Sequence, residues 1–167
     1  MAATLDPPRV ASLDFSAVCE EHLDDIFGYL LYLTHNATLA EDLTADSFER
    51  ALRKWNSYNP RRGDAYPWLL TIARRVALDH FRSERRRSTR EAKVAEAEAV
   101  EEHWLEGISA ELEQALAHMP ASDRELVFLR VVLEMDNREV ARVLSLTPTN
   151  CATRLSRALD KLQREIK

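Results

Sequence analysis

Residues 122–166 read SDRELVFLRVVLEMDNREVARVLSLTPTNCATRLSRALDKLQREI, and within them the stretch 138–159 decides the fold. Val140, Ala141 and Leu144 recur at helical steps. Ser145-Leu146-Thr147 interrupts the pattern, and Pro148 opens a further helix whose apolar side holds Cys151 and Leu155. So short a turn sets the last helix across the one before it, as in a helix-turn-helix. That packing leaves Thr149, Asn150, Ala152, Thr153, Arg154, Ser156 and Arg157 exposed near the start of the last helix. Recognition helices present these N-terminal positions to the major groove. Arginine suits guanine edges and phosphate, and asparagine suits adenine. A plain helical hairpin with a solvated face would share the spacing; the basic character of the face favours DNA. Cys151 falls on a buried position and reads as core.

Working back from this pair, Ser122 reads as the cap of an earlier helix, with Glu125 at the capping-box position. Leu112, Leu116 and Met119 define another, stopped at Pro120. Residues 89–107 are rich in alanine and glutamate and poor in large apolar side chains, and read as a flexible acidic linker. Upstream, apolar residues at three- and four-residue steps predict a helix from Phe15 to about Thr34. A second runs to about Trp55, with Thr38 as its cap and Phe48, Leu52 and Trp55 facing inward. Asn56–Asp64 (NSYNPRRGD) is a loop, and a third helix starts near Pro67 and ends in an arginine run. Residues 1–14 read as a disordered tail. The expected fold is all-α, with two small helical domains at 15–88 and 108–167.

Only 3 glycines and 6 prolines, against 46% apolar residues, agree with a helical protein. The most apolar window, Ile26–Leu33, is far shorter than the roughly 20 residues of a membrane span. The N-terminus lacks the basic start and apolar core of a secretory signal, so a cytoplasmic location is expected. Cys19 and Cys151 are far apart and read as reduced thiols. Five scattered histidines form no ligand pair with either, so no metal or other cofactor is expected.

The net charge of −5 conceals a block pattern. Residues 61–90 carry nine arginines against three acids, and residues 91–118 carry one lysine against eight glutamates. In the basic block, Tyr58, Tyr66 and Trp68 stand beside Arg61, Arg62, Arg74, Arg75 and Arg82. Arginines neutralise phosphates and aromatic faces stack unpaired bases, the combination that holds single strands. Trp68 also falls on the apolar spacing of its helix and could simply be core. The helix at 38–55 exposes Glu41, Asp42, Asp46 and Glu49, either a solvated face or a docking surface for a basic partner.

AEDLTADSFERALRKWNSYNP, WLLTIARRVALDHFRSERRR and the stretch from Leu112 to Gln163 resemble the extracytoplasmic-function (group 4) sigma factors of bacterial RNA polymerase. The resemblance covers about Phe15–Ile166 in the family's two-domain order, a region 2-like bundle followed by a region 4-like helix-turn-helix domain. It implies that Glu41, Asp42, Asp46, Phe48 and Glu49 meet the β′ clamp helices of core polymerase. It implies that Tyr58, Arg61, Arg62, Trp68, Arg74, Arg75 and Arg82 recognise and melt the −10 promoter element. Thr149, Asn150, Thr153, Arg154 and Arg157 would read the −35 element, and the second domain would also touch the β flap. An anti-sigma factor is an implied partner, and the free chain is expected to be monomeric. Three positions depart from the common motifs: Ala45 and Asp46 stand for Gln-Glu, Arg75 for an asparagine, and Ala152 for a lysine.

Two other classes fit part of the pattern. A stand-alone helix-turn-helix regulator would leave the acidic helix unexplained, and a degenerate sigma-like adaptor would bind a partner without reading DNA. No Gly-rich phosphate loop, metal set or nucleophile motif points to an enzyme.

Overall fold

The structure is a computed structural model and describes residues 14–90 and 109–166. The expected tail (up to residue 13) and most of the expected linker lie outside the described residues; 89 and 90 still belong to the third helix. Seven α-helices follow in order: α1 Phe15–Thr34, α2 Ala37–Lys54, α3 Ala65–Arg90, α4 Ala110–Ala117, α5 Ala121–Val127, α6 Asn137–Leu144 and α7 Pro148–Glu165. Every regular element among the described residues is helical.

Helices α1, α2 and α3 pack on one another as a three-helix bundle. Its core holds Ile26, Leu30, Leu43, Ala51, Leu69, Ala73 and Val76, each at most a few per cent exposed. The periodicity of the sequence accounts for these positions. Two details differ from the sequence expectation. The cap of α2 is Asn36, whose side chain accepts from Leu39 N at 2.9 Å, and Thr38 lies inside the helix. Leu52 is 57% exposed rather than inward, because the buried stripe of α2 runs through Ala40, Leu43, Thr44, Ser47 and Ala51 and Leu52 falls beside it.

The second unit packs α4, α5 and α7 around Leu116, Met119, Val127, Ala158 and Leu162, and α6 lies against α7 and α3. Ser122 is not a cap: α5 starts at Ala121 after Pro120, and no side chain caps it. The α5 path continues into a π-helical turn, Phe128–Val132, where one extra residue per turn widens the helix. A full capping box starts α6: Asp136 accepts from Arg138 N and Glu139 N, and the Glu139 carboxylate accepts from Asp136 N at 2.8 Å.

The two units share one core. Leu126, Phe128, Leu129, Val140 and Ala141 are continuous with the bundle's buried residues, and α3 lies directly against α6. Tyr32 stacks on Phe128, with ring centroids 4.1 Å apart and planes 12° from parallel.

Candidate nucleic-acid interface

The loop between α2 and α3 is held rigid by its own side chains. Asn59 Oδ1 accepts from Arg61 N at 3.0 Å and starts the 3-10 turn Pro60–Arg62. The Tyr58 hydroxyl donates to Gly63 O at 3.0 Å. Burial, and then the Asp64 charge, push that phenol above its ordinary pKa, which keeps it a donor. Gly63 has φ 141°, a backbone conformation that a side chain would strain.

This loop frames an open cavity of about 400 Å³ whose lining includes Tyr58, Arg62, Trp68, Arg75 and Lys54. One wall is aromatic. Tyr58 stacks on Trp55 at 5.0 Å and lies 5.2 Å from Trp68, centroid to centroid. Trp68 is half-buried, so both readings of it hold: it packs on Trp55 and also lines the cavity. A second hollow of about 430 Å³ shares Lys54, Ile72 and Arg75 with the first and adds Arg50 and Arg82. Together they form a basic trough along α3 with an aromatic end. Such a trough can hold phosphates along its length and a base at its end. Lys54 and Arg50 did not stand out in the sequence, though their place in the last turns of α2, beside the loop, is the signal that finds them.

Of the seven residues expected here, Tyr58, Arg62, Trp68, Arg75 and Arg82 line the trough. Arg61 is exposed on the turn beside it. Arg74 is turned elsewhere. Its Nε and Nη2 donate to Glu125 of α5 at 2.8 and 3.2 Å, and the Tyr29 hydroxyl donates to the same carboxylate at 2.6 Å. Burial works against the Arg74 charge, and the hydrogen bonds and charge of Glu125 more than offset it, holding the guanidinium pKa above normal. Tyr29 is pushed well up, first by burial and then by Glu125.

In the second unit, Ser145 takes the left-handed conformation (φ 55°) that ends α6, and Leu146 N donates to Ala141 O at 2.8 Å. Thr147 caps α7 by accepting from Asn150 N. Asn137 Nδ2 donates to Pro148 O at 2.8 Å, pinning the turn to the start of α6. Thr149, Asn150, Thr153 and Arg157 are exposed on the first turns of α7, and Cys151 is fully buried. Arg154 folds back instead. Its guanidinium donates to Asp123 at 2.6 Å and to Ser122 Oγ at 2.9 Å, tying α7 to α5.

On the other side of the bundle, Glu41, Asp42, Asp46 and Glu49 are exposed along α2, and Glu49 pairs with Arg53. Beside them a hollow of about 390 Å³ between α1 and α2 is lined by Leu23, Phe27, Thr44, Ala45 and Phe48, with Asp24 and Glu41 at its edge. An apolar floor with an acidic rim suits a partner helix carrying apolar and basic residues. The small Ala45 side chain forms part of this lining. Leu23, 47% exposed, joins this surface.

A bundle carrying a basic, aromatic trough, followed by a helix-turn-helix unit, defines a two-domain DNA-binding protein. The family models for Sigma-70 region 2 and Sigma-70 region 4 match residues 18–87 and 109–162. The chain belongs to the sigma-70 family, as an RNA polymerase sigma factor of the extracytoplasmic-function type. The extracytoplasmic-function sigma factor BldN of Streptomyces coelicolor is 31% identical over 156 residues, or 90% of this chain and 59% of that protein. SigM of Bacillus subtilis is 26% identical over 151 residues, or 87% of this chain and 91% of that one. Among solved structures, the sigma factor RpoE bound to the anti-sigma factor NepR from Bartonella quintana shares the fold. Its TM-score is 0.75 at 22% identity, covering 92% of this chain and 96% of that one. CnrH, in complex with the cytosolic domain of CnrY, gives 0.63 at 21% identity, covering 90% and 85%. No helix among the described residues is long and apolar enough to cross a membrane.

Proposed function

We propose that the chain is a dissociable specificity subunit that lends promoter recognition to core RNA polymerase and performs no catalysis itself. The hollow between α1 and α2, with Phe48 in its lining and Glu41, Asp42, Asp46 and Glu49 along its side, docks on the β′ clamp helices. The trough captures the melted non-template strand of the −10 element: Arg61, Arg62, Arg75 and Arg82 meet phosphates, and Tyr58 and Trp68 receive an unstacked base. Helix α7 reads the −35 element through Thr149, Asn150, Thr153 and Arg157, while Arg154 positions that helix against α5. The protein works in the cytoplasm, where its polymerase and DNA are, and an anti-sigma factor is a fitting regulator, since one accompanies RpoE. The observation that carries this reading is the trough, because a regulator of duplex DNA needs no aromatic-ended groove for an unpaired strand.

The test is reconstitution. The chain is mixed with bacterial core polymerase, its affinity is measured, and run-off transcription is read on a genomic fragment library. Tight binding with initiation at a defined promoter set is expected. Binding of the chain alone to duplex DNA, with no affinity for core, would replace this reading with a stand-alone regulator.

A further inference from the structure

The second hollow of the trough holds an acid where phosphates are expected. Asp79 of α3 is the one acid in its lining among the described residues, against Arg50, Lys54, Arg75 and Arg82. A carboxylate beside bound phosphates repels them, so taken alone it weakens the site. Its place there calls for a service to its neighbours that offsets the repulsion.

The two oxygens of Asp79 face two helices. Oδ2 accepts from Arg50 Nη1 of α2 at 3.1 Å, and Oδ1 stands 3.8 Å from Arg82 Nη1, three residues further along α3. Arg75, four residues back, shares that face of α3 and is exposed. Both pairs are open to water: the side chains of Arg50, Asp79 and Arg82 are 45%, 53% and 72% exposed. Exposed ion pairs of this kind add little to stability. They do supply order. An arginine side chain is long and freely rotating, and fixing it before a ligand arrives removes part of the penalty of fixing it on binding. A guanidinium has five N–H donors, so one held through one edge by a carboxylate keeps donors for a phosphate.

We propose that Arg50 is a phosphate ligand of the strand site and Asp79 its positioning residue. The carboxylate aims Arg50 and Arg82, from two helices, at one backbone phosphate lying over the hollow, next to the phosphate met by Arg75. The proposal deepens the sigma-factor reading and rests on it for the identity of the strand. Charge alone and positioning predict opposite signs. Removing an acid from a basic trough strengthens strand binding if only charge matters, and weakens it if the acid aims two arginines.

The test uses the full chain and the variants Asp79→Ala, Asp79→Glu, Arg50→Ala and the double variant Asp79→Ala with Arg50→Ala. Fluorescence anisotropy gives affinity for a labelled random-sequence single-stranded 12-mer from about 50 to about 200 mM salt, and circular dichroism checks that helicity is kept. One phosphate contact on a single strand changes the salt slope by about 0.7, worth about fivefold in affinity at about 0.1 M salt relative to 1 M. Asp79→Ala should bind about fivefold more weakly with a slope shallower by about 0.7, although the chain has become more positive. Arg50→Ala should lose a similar amount alone and less than about twofold in the Asp79→Ala background, since an arginine already released has little left to lose. Asp79→Glu keeps the carboxylate and should stay within about twofold of the wild type. Tighter binding by Asp79→Ala would overturn the proposal in favour of plain charge. A shifted melting temperature with unaltered affinity and slope would reduce the pair to a structural tie and overturn it as well. If the wild-type chain binds no strand even at the lowest salt, the proposal falls together with the trough. Absence of core binding in the reconstitution strikes the sigma reading instead, and the strand titration still judges Asp79 by itself.

Discussion

Arg74 in the first unit lies half-buried with two nitrogens on Glu125, whereas Arg157 in the second stands exposed with no ion pair among the described residues. The strand site is bordered by a side chain of the other unit, Arg142, which donates to Arg62 O; the duplex-reading face has no such neighbour among the described residues. The difference suits their targets. A melted strand exists only after polymerase has engaged, so a site for it loses nothing by standing against the other unit in the free protein. The duplex element is always present, and its reader is limited by having few positive side chains, since Ala152 and the folded-back Arg154 contribute none to the exposed face.

The largest effect that would break this comparison comes from Glu125→Ala. It leaves Arg74 and the Tyr29 hydroxyl half-buried or buried without their partner. Removing one member of a fully buried pair costs about 3–5 kcal/mol; Arg74 keeps 23% of its side chain in solvent, so about 2–3 kcal/mol is expected here. The loss falls on the contact between units. Thermal unfolding followed by calorimetry should therefore split into two transitions, and a single unshifted transition would remove the contact from the account.

Arg157→Ala sharpens the other side. An exposed side chain without partners contributes within about 0.5 kcal/mol to stability. A base contact from arginine is worth about 1–3 kcal/mol of discrimination. Melting should stay put while −35-dependent initiation falls about tenfold or more. If initiation is unaffected, the reading face lies elsewhere on α7. Arg154→Ala should behave oppositely, lowering the melting temperature because it unties α7 from Asp123 and Ser122.

The helices were legible from sequence because the inward side of each helix repeats at 3.6-residue spacing: Ile26, Leu30 and Leu33 in α1, Val140, Ala141 and Leu144 in α6. The turn Ser145–Thr147 was legible because few chemistries end one helix and start another in three residues. Glu125 was misread for the opposite reason. Three residues after Ser122 it imitates a capping box, yet its partners Tyr29 and Arg74 lie 96 and 51 positions away. Nothing in local spacing records so distant a contact. The same holds for Arg142, which looks like an ordinary solvent-facing position of α6 until Gly63 is brought beneath it. Leu52 shares an apolar stripe with Phe48 and Trp55 but faces outward, since periodicity tells which residues share a face and not what that face meets.

The smallest expected effect concerns how α6, the helix that carries Arg142, is held. Asp136 caps it, and backbone hydrogen bonds, from Glu139 N foremost and also from Arg138 N, keep its carboxyl below the usual carboxylate range. A depressed folded-state pKa contributes stability that is whole above the unfolded value, about 4, and is lost as pH falls through the folded one. Asp136→Ala should cost about 1 kcal/mol at neutral pH, the ordinary worth of an N-cap. Asp136→Asn keeps an accepting oxygen, so it should cost less and should flatten the acid limb of the stability curve. Urea denaturation from pH 7 down to pH 3 separates the two. The cap also bears on the contrast between the units, because α6 presents Arg142 to the trough on one side and anchors α7 through Asn137 on the other. Loosening its first turn should therefore weaken both the contact with the trough and the reader. If duplex-dependent initiation is unchanged in Asp136→Ala, the first turn of α6 does not hold the reader.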